Sequence, residues 1–279
     1  MFGVVTRNAA DLTWDEFDRG FYEIKDVTGR CGEPVDTATN MISCFGDSAR
    51  GELNPELIPV SKTGDRATRE QPYFDWGFIC PTRERYRDEL GSIIAQAVDR
   101  SPDVRLGDIG FPRDDYCHCD ACQTAFAAAT EDDWYAWRCS VITDFIAESR
   151  EQIPGRFSVS VYPDPYPGHL ERRSGVDLEA IASIADEIVV PIYDLHYGTT
   201  YWLEVLAKGF ASRISIPLCV ELYAVNVELD NLIKAANVAE EYADSVVFGY
   251  DAAMARGAIR RLIADDNPGS TYGMPSDET

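Results

Sequence analysis

The stretch "EIVVPIYDLHYGTTYWLEVLAKGFASRISIPLCVELYA", residues 187–224, carries the reading of the fold. Its two ends, EIVVPIYDLHY (187–197) and ISIPLCVELYA (214–224), are short runs rich in consecutive β-branched and aromatic residues. The middle, TTYWLEVLAKGFASR, has apolar side chains at helical spacing. A strand that is apolar at consecutive positions is covered on both faces, and two such strands joined by a helix run parallel. The same unit recurs on either side. VRLGDIGF (104–111) leads into a helical stretch from Ala121 to Ile153, RFSVSVYPDP (156–165) into VDLEAIASIA, and SVVFGYD (245–251) into AAMARGAIRRLIADD. With the two strands of the opening stretch these make five βα units in succession, which restricts the architecture to a doubly wound sheet or a closed barrel.

The first hundred residues are less regular. FGVVTR (2–7) and TNMISCFG (39–46) read as strands, WDEFDRGFYEIKD (14–26) and RERYRDELGSIIAQAVDR (83–100) as helices. YFDWGFIC (73–80) reads as a barrel strand or as the arm of a long loop, and the stretch 47–72 is too long for a mere connector. Eight strands in 279 residues match an α/β chain folded as a (β/α)8 TIM barrel, which typically takes about 250 residues. The expectation is one barrel domain over 1–265, irregular or incomplete in its first half, and a mobile tail at 266–279, where periodicity is lost.

Composition narrows the function classes. Twenty-five basic residues face 48 acidic ones, a net charge of −23, and lysine occurs only at positions 25, 62, 208 and 234. Self-repulsion of this size is relieved by salt screening, so the chain reads as a halophilic acidic protein of a salt-loaded cytoplasm. Nucleic acid is excluded as a partner for want of a basic stripe. No run approaches the roughly 18 apolar residues of a membrane span, and the first residues lack a signal peptide's pattern; the expectation is a soluble, cytoplasmic protein.

In parallel barrels the chemistry sits where strands end, at their carboxyl termini. Asp108 closes one apolar run, Tyr162 and Asp164 the next, Asp194 with His196 and Tyr197 the third, Glu221 with Tyr223 the fourth, and Asp251 the fifth. Carboxylates and aromatic rings converging on one rim suit sugar chemistry: one carboxylic acid protonates the leaving oxygen, one carboxylate attacks or activates water, and flat rings stack on sugar faces. Asp108, Asp194 and Glu221 are the catalytic candidates. Tyr162, His196, Tyr197, Tyr223, Trp76 and Asp251 are the substrate-binding ones. Asp251, just before AAMARGAIRRL, equally suits a helix cap, and Asp164 a turn.

Eight cysteines without an export signal favour thiols or metal ligands over disulfides. Cys117-x-Cys119-x-x-Cys122 supplies three thiolates to one tetrahedral zinc, and a closed structural site needs a fourth; Cys80 is the natural choice, and Cys139, on a helix, the alternative that reads better as packing. The competing reading is buried thiols of no chemical consequence. Cys31, Cys44 and Cys219 lie in or beside apolar runs and read as core.

FICPTRERYRDELGSII followed by VRLGDIGFPRDDYCHCDACQTAF resembles a group of bacterial and archaeal TIM-barrel proteins known as hypothetical glycosyl hydrolases. Their pattern is a Cys-Pro-Asn before a Tyr-Arg helix, a strand ending in Asp, then CYCPHC and a helix entered through Phe. Cys80, Pro81, Tyr86, Arg87, Asp108, Cys117, Cys119, Cys122 and Phe126 match it. Thr82 replaces the Asn, and the specific likeness spans about residues 76–126. The resemblance implies a glycosidase-like pocket with Asp108 in the nucleophile position of α-galactosidase-like and α-fucosidase-like barrels. Three functions stay open: a glycoside-hydrolase-like barrel acting on a sugar or glycoconjugate, a non-catalytic carbohydrate-binding or scaffold protein, and a metal-dependent hydrolase using the cysteines, His196 and carboxylates.

Overall fold

The computed structural model describes residues 1–266; most of the tail expected to be mobile lies outside the described residues. Eight parallel strands close into a barrel in sequential order: β1 (Phe2–Thr6), β2 (Arg19–Lys25), β3 (Thr39–Ser43), β4 (Val104–Gly107), β5 (Phe157–Ser160), β6 (Glu187–Pro191), β7 (Leu218–Tyr223) and β8 (Ser245–Gly249), with β8 pairing back onto β1. Helices α1 (Ser48–Leu53) and α2 (Glu84–Val98) lie between β3 and β4. After β4 come α3 (Asp120–Ala128) and α4 (Trp134–Gln152), after β5 α5 (His169–Ser174) and α6 (Leu178–Ala182). Single helices α7 (Tyr201–Ala211), α8 (Leu229–Glu240) and α9 (Ala252–Asp266) follow β6, β7 and β8. The fold is the (β/α)8 TIM barrel, and it is closed; irregularity is confined to the β1–β2 and β2–β3 connections, which carry no α-helix.

One segment departs from the sequence reading, and a second settles between its two alternatives. Residues 14–26 are not a helix: a 3-10 turn ends at Thr13 and the chain then runs as β2. Of the two readings of YFDWGFIC, barrel strand or arm of a long loop, the structure has the loop, joined to the segment after β3 by the isolated Gly46–Phe78 bridge. The misreading has a physical cause. Alternate residues of a strand face the barrel interior, and on β2 those are Arg19, Phe21 and Glu23, so this strand is polar where parallel strands are usually apolar. Helical spacing also breaks once after β4, where Asp133 accepts from the backbone N–H groups of Tyr135 and Ala136 and caps α4.

The barrel interior is layered. A middle layer of Val5, Phe21, Met41, Val189, Cys219 and Val247 is apolar. Toward the amino ends, Arg19 holds Glu187 with two hydrogen bonds of 2.6 and 2.9 Å, and Ser158 donates to the same carboxylate at 2.7 Å. Toward the carboxyl ends, Arg105 holds Glu221. Both guanidinium groups lie over the Phe21 ring, at 4.6 and 4.7 Å from its centroid. Charge inside the barrel is thus paired and stacked on an aromatic face, which offsets its desolvation. The larger apolar core fills the space between strands and helices. Among the described residues, no helix is long and apolar enough to cross a membrane.

Candidate active site

The carboxyl ends of the strands open onto a cavity of about 640 Å³. Asp108, immediately after β4, lines it in a left-handed conformation (φ 51°), and Tyr250, immediately after β8, lines it at φ 72°. Non-glycine residues hold such angles at a cost of roughly 1–3 kcal/mol, and they collect at functional sites. Here backbone bonds keep them in place: Asp108 accepts from Phe45 N–H at 2.9 Å, and Tyr250 donates to Val5 at 2.8 Å.

Burial pushes the Asp108 carboxyl above the usual carboxylate range, although Ser43, Lys25 and Arg105 pull it down. Lys25 is buried, its Nζ held by Ser43 O at 2.8 Å and by Asp47 at 3.1 Å. Glu23, on β2, is a second cavity carboxyl, 4% exposed. It accepts from Arg7 Nε and, at 3.2 Å, from the Tyr250 hydroxyl. Burial again dominates and raises its affinity for a proton, against the pull of Arg7.

Arg105, on β4, lies at the cavity floor. Its Nε donates to Ser160 Oγ at 2.8 Å and its Nη2 to Glu221. Glu221 is fully buried behind the cavity wall and also accepts from the Tyr193 hydroxyl. Aromatic rings share the remaining walls with aliphatic side chains: Tyr162 after β5, Tyr193 after β6, Tyr223 ending β7, and Trp76 from the loop before α2. Tyr223 is flanked by the rings of Tyr193 and Tyr250, 5.2 and 6.4 Å away. Trp76 seats its indole nitrogen against Gly46, where an added Cβ would stand 3.0 Å from it, so a larger residue there would press on the ring.

Among the residues picked from sequence, the cavity brings together Asp108, Tyr162, Tyr223 and Trp76, with Glu221 just behind. Asp194 stands elsewhere. β6 ends at Pro191, and Asp194 belongs to an exposed turn whose carboxylate accepts from the N–H groups of His196 and Tyr197, at 2.8 and 3.1 Å. His196 is exposed in that turn. Tyr197 is buried and structural, its hydroxyl donating to Ile192 O and accepting from Tyr223 N–H. Asp251 accepts from Met254 N–H at 2.9 Å, an interaction that caps α9. Arg7, Glu23, Arg105, Tyr193 and Tyr250 line the cavity and were not singled out from sequence. Glu23 and Arg105 hide on the inward face of strands, and Arg7 was visible as the polar residue closing FGVVTR.

The cysteine motif converges off this cavity. Cys80, Cys117, Cys119 and Cys122 are buried with their sulfurs all within 4.8 Å of one another, and Cys80 lies 3.3 Å from Cys122 and 3.9 Å from Cys119. Such a cluster can bind a metal ion. The backbone N–H of Val60 donates to Cys117 at 3.3 Å, and Thr82 Oγ1 lies 3.1 Å from the Cys80 sulfur. Cys139 is apart, against Glu171 O. Cys44 and Cys219 are core, whereas Cys31 is exposed.

No family model matches this chain, and no curated protein does. Among solved structures it is similar to alpha-L-fucosidase isoenzyme 2 from Paenibacillus thiaminolyticus, at 12% identity and a TM-score of 0.65, over 92% of this chain and 45% of that one. It is also similar to beta-N-acetylhexosaminidase from Bacteroides fragilis, at 9% identity and a TM-score of 0.56, over 92% of this chain and 65% of that one. The chain thus spans less than half of the first protein and under two thirds of the second. What is shared at these identities is the barrel fold.

Proposed function

We propose that this barrel mouth is a glycoside-hydrolase-like active site acting on a sugar or glycoconjugate. One observation carries the reading: two carboxyl groups with raised proton affinity, Asp108 and Glu23, line a single cavity walled by Trp76, Tyr162, Tyr193, Tyr223 and Tyr250. The fold-level likeness to two proteins named for cleaving fucosides and hexosaminides agrees with it but supplies no residue roles.

Asp108 is the nucleophile or the carboxylate that stabilises the oxocarbenium-like transition state. Glu23 is the general acid, a role that sequence alone distributes to Asp194 or Glu221. Asp194 is spent on a turn, and Glu221 is engaged in its ion pair with Arg105 behind the wall, so neither offers a proton to the cavity. Glu23 combines burial, which retains the proton, with a bond to Arg7, which accommodates the charge once the proton has left. The metal-dependent alternative finds no support, since His196 and the cysteines line no part of the cavity.

The roles fix the pH behaviour. The acid must be protonated, so the rate falls as pH rises through the raised Glu23 value; Asp108 must be ionised, so the rate falls as pH drops through its own raised value. In Glu23→Gln the high-pH limb is expected to disappear. Turnover of glycosides with poor leaving groups should drop by roughly 10²–10⁴-fold, with a far smaller loss for activated aryl glycosides that need no protonation. Equal losses on both substrate types would remove Glu23 from the acid role. The assays belong in concentrated salt, because a net charge of −23 with few lysines supports a halophilic protein.

The cysteine cluster is read as a structural zinc site. Four thiolates about 2.3 Å from a tetrahedral ion lie roughly 3.8 Å apart, close to the spacings found, and leave no position open for substrate. Cys80, Cys117, Cys119 and Cys122 would hold the ion. Bound there, it would tie the segment around Trp76 to the loop after Asp108, so that both walls of the cavity stay in register.

A further inference from the structure

We propose that the cavity selects uncharged sugars and rejects those carrying a carboxylate or phosphate, with Arg105 donating to a neutral oxygen of the substrate and Glu221 setting that preference. The inference rests on the sugar reading above and adds the substrate class. Arg105 is 1% exposed and lines the cavity. Nε is engaged by Ser160 and Nη2 by Glu221, while Nη1 is buried without a partner among the described residues. A buried guanidinium nitrogen in that position calls for an oxygen acceptor from whatever fills the cavity.

Charge decides which kind of oxygen. The Arg105 charge is neutralised by Glu221, which sits at 0% exposure. Gly249 leaves the room for it, since an added Cβ there would stand 3.2 Å from Glu221 Oε1. The other cavity cation, Arg7, is engaged by Glu23 and has Asp26 at 3.8 Å. Behind the wall, Lys25 is paired with Asp47. With Glu23 holding the acid's proton, Arg7 still faces Asp26 and Asp108 adds a further negative charge, so the cavity offers an anion no cation without an acidic neighbour. A ligand carboxylate would bring a negative charge beside Asp108 with no free cation to meet it, whereas a hydroxyl or ring oxygen satisfies Nη1 at no electrostatic cost.

The test uses matched 4-nitrophenyl glycosides in both anomeric forms, glucoside against glucuronide and galactoside against galacturonide, with N-acetylglucosaminide against its 6-phosphate. The readouts are kcat/KM and saturation-transfer NMR on the full chain. The expected result is that every pair giving a signal favours its neutral member, by roughly a hundredfold or more, the penalty for burying an uncompensated charge. In Glu221→Gln, which frees the Arg105 charge but keeps the shape, the gap is expected to shrink to about tenfold or less or to reverse. An acidic member matching or beating its neutral partner on the parent protein overturns the inference and leaves the sugar reading standing. An undiminished gap in folded Glu221→Gln removes Glu221 from the role. If that variant fails to fold, the parent comparison decides by itself. No turnover and no binding by any member takes down the sugar reading, and the inference with it.

Discussion

Replacing Asp108 with asparagine is expected to lower kcat/KM on aryl glycosides on the order of ten-thousand-fold while leaving the fold intact. The substitution removes the charge that would attack or stabilise the anomeric carbon and changes little else. Asparagine tolerates the left-handed backbone that Asp108 adopts, whereas alanine would add strain to the loss of charge. Stability should not suffer. The Asp108 carboxyl is raised by burial, so the folded state binds its proton more tightly than the unfolded state does. The stability this group contributes is present below the unfolded carboxylate value and fades as pH rises through the folded one. At neutral pH the ionised group is therefore a liability, and the asparagine variant should unfold at an equal or higher temperature than its parent. Thermal scans beside the kinetics separate the two effects. Unchanged turnover would exclude Asp108 from the reaction.

Removing the metal is expected to have the largest effect on stability. Purified protein should carry about one zinc per chain, and Cys119→Ser should lower the thermal midpoint steeply. Structural zinc contributes on the order of 10 kcal/mol or more in small domains. Even a net loss of about 4 kcal/mol would move the midpoint of a chain this size by roughly 8–16 °C. The damage should begin around the clip. His118 N–H bonds to Val60 O at 2.6 Å and Val60 N–H to Cys117, so loosening the sulfurs frees the loop that carries Trp76, and tryptophan emission should change before the far-ultraviolet signal does. A metal-free protein with unaltered melting would return the four cysteines to the status of buried thiols.

How far the sequence carried the structure depends on which way each strand faced. From Val104 onward strands and helices were legible because burial on both faces makes parallel strands nearly continuous in apolar residues. β2 was not, because Arg19 and Glu23 point into a barrel interior where charge is paired across strands, Arg19 with Glu187 from 168 positions away. That pairing leaves no local trace. The site followed the same division. Asp108 could be placed at the cavity from sequence because it directly ends an apolar run, and Cys117, Cys119 and Cys122 could be brought together because their spacing is local. Glu23 was not placed at the cavity because its strand lay in a stretch read as a helix, Arg105 because its partner Glu221 comes from a distant strand, and Asp194 was expected there because the apolar run IVVPIY extends past the last paired residue, Pro191. Cys80 sits in a loop, one of the two readings of its segment, and the loop's bridge to Gly46 delivers it to the cluster.

The central claim is that carboxyls from separate strands close on one sugar. The most direct measurement is a crystal structure of Asp108→Asn with an unhydrolysed glycoside bound. The account predicts the sugar ring against Trp76 and the tyrosines, with the anomeric carbon facing the substituted side chain at position 108 and the glycosidic oxygen within hydrogen-bonding reach of Glu23. A glycoside bound outside the barrel mouth, or inside it with neither carboxyl position near the glycosidic bond, would contradict it.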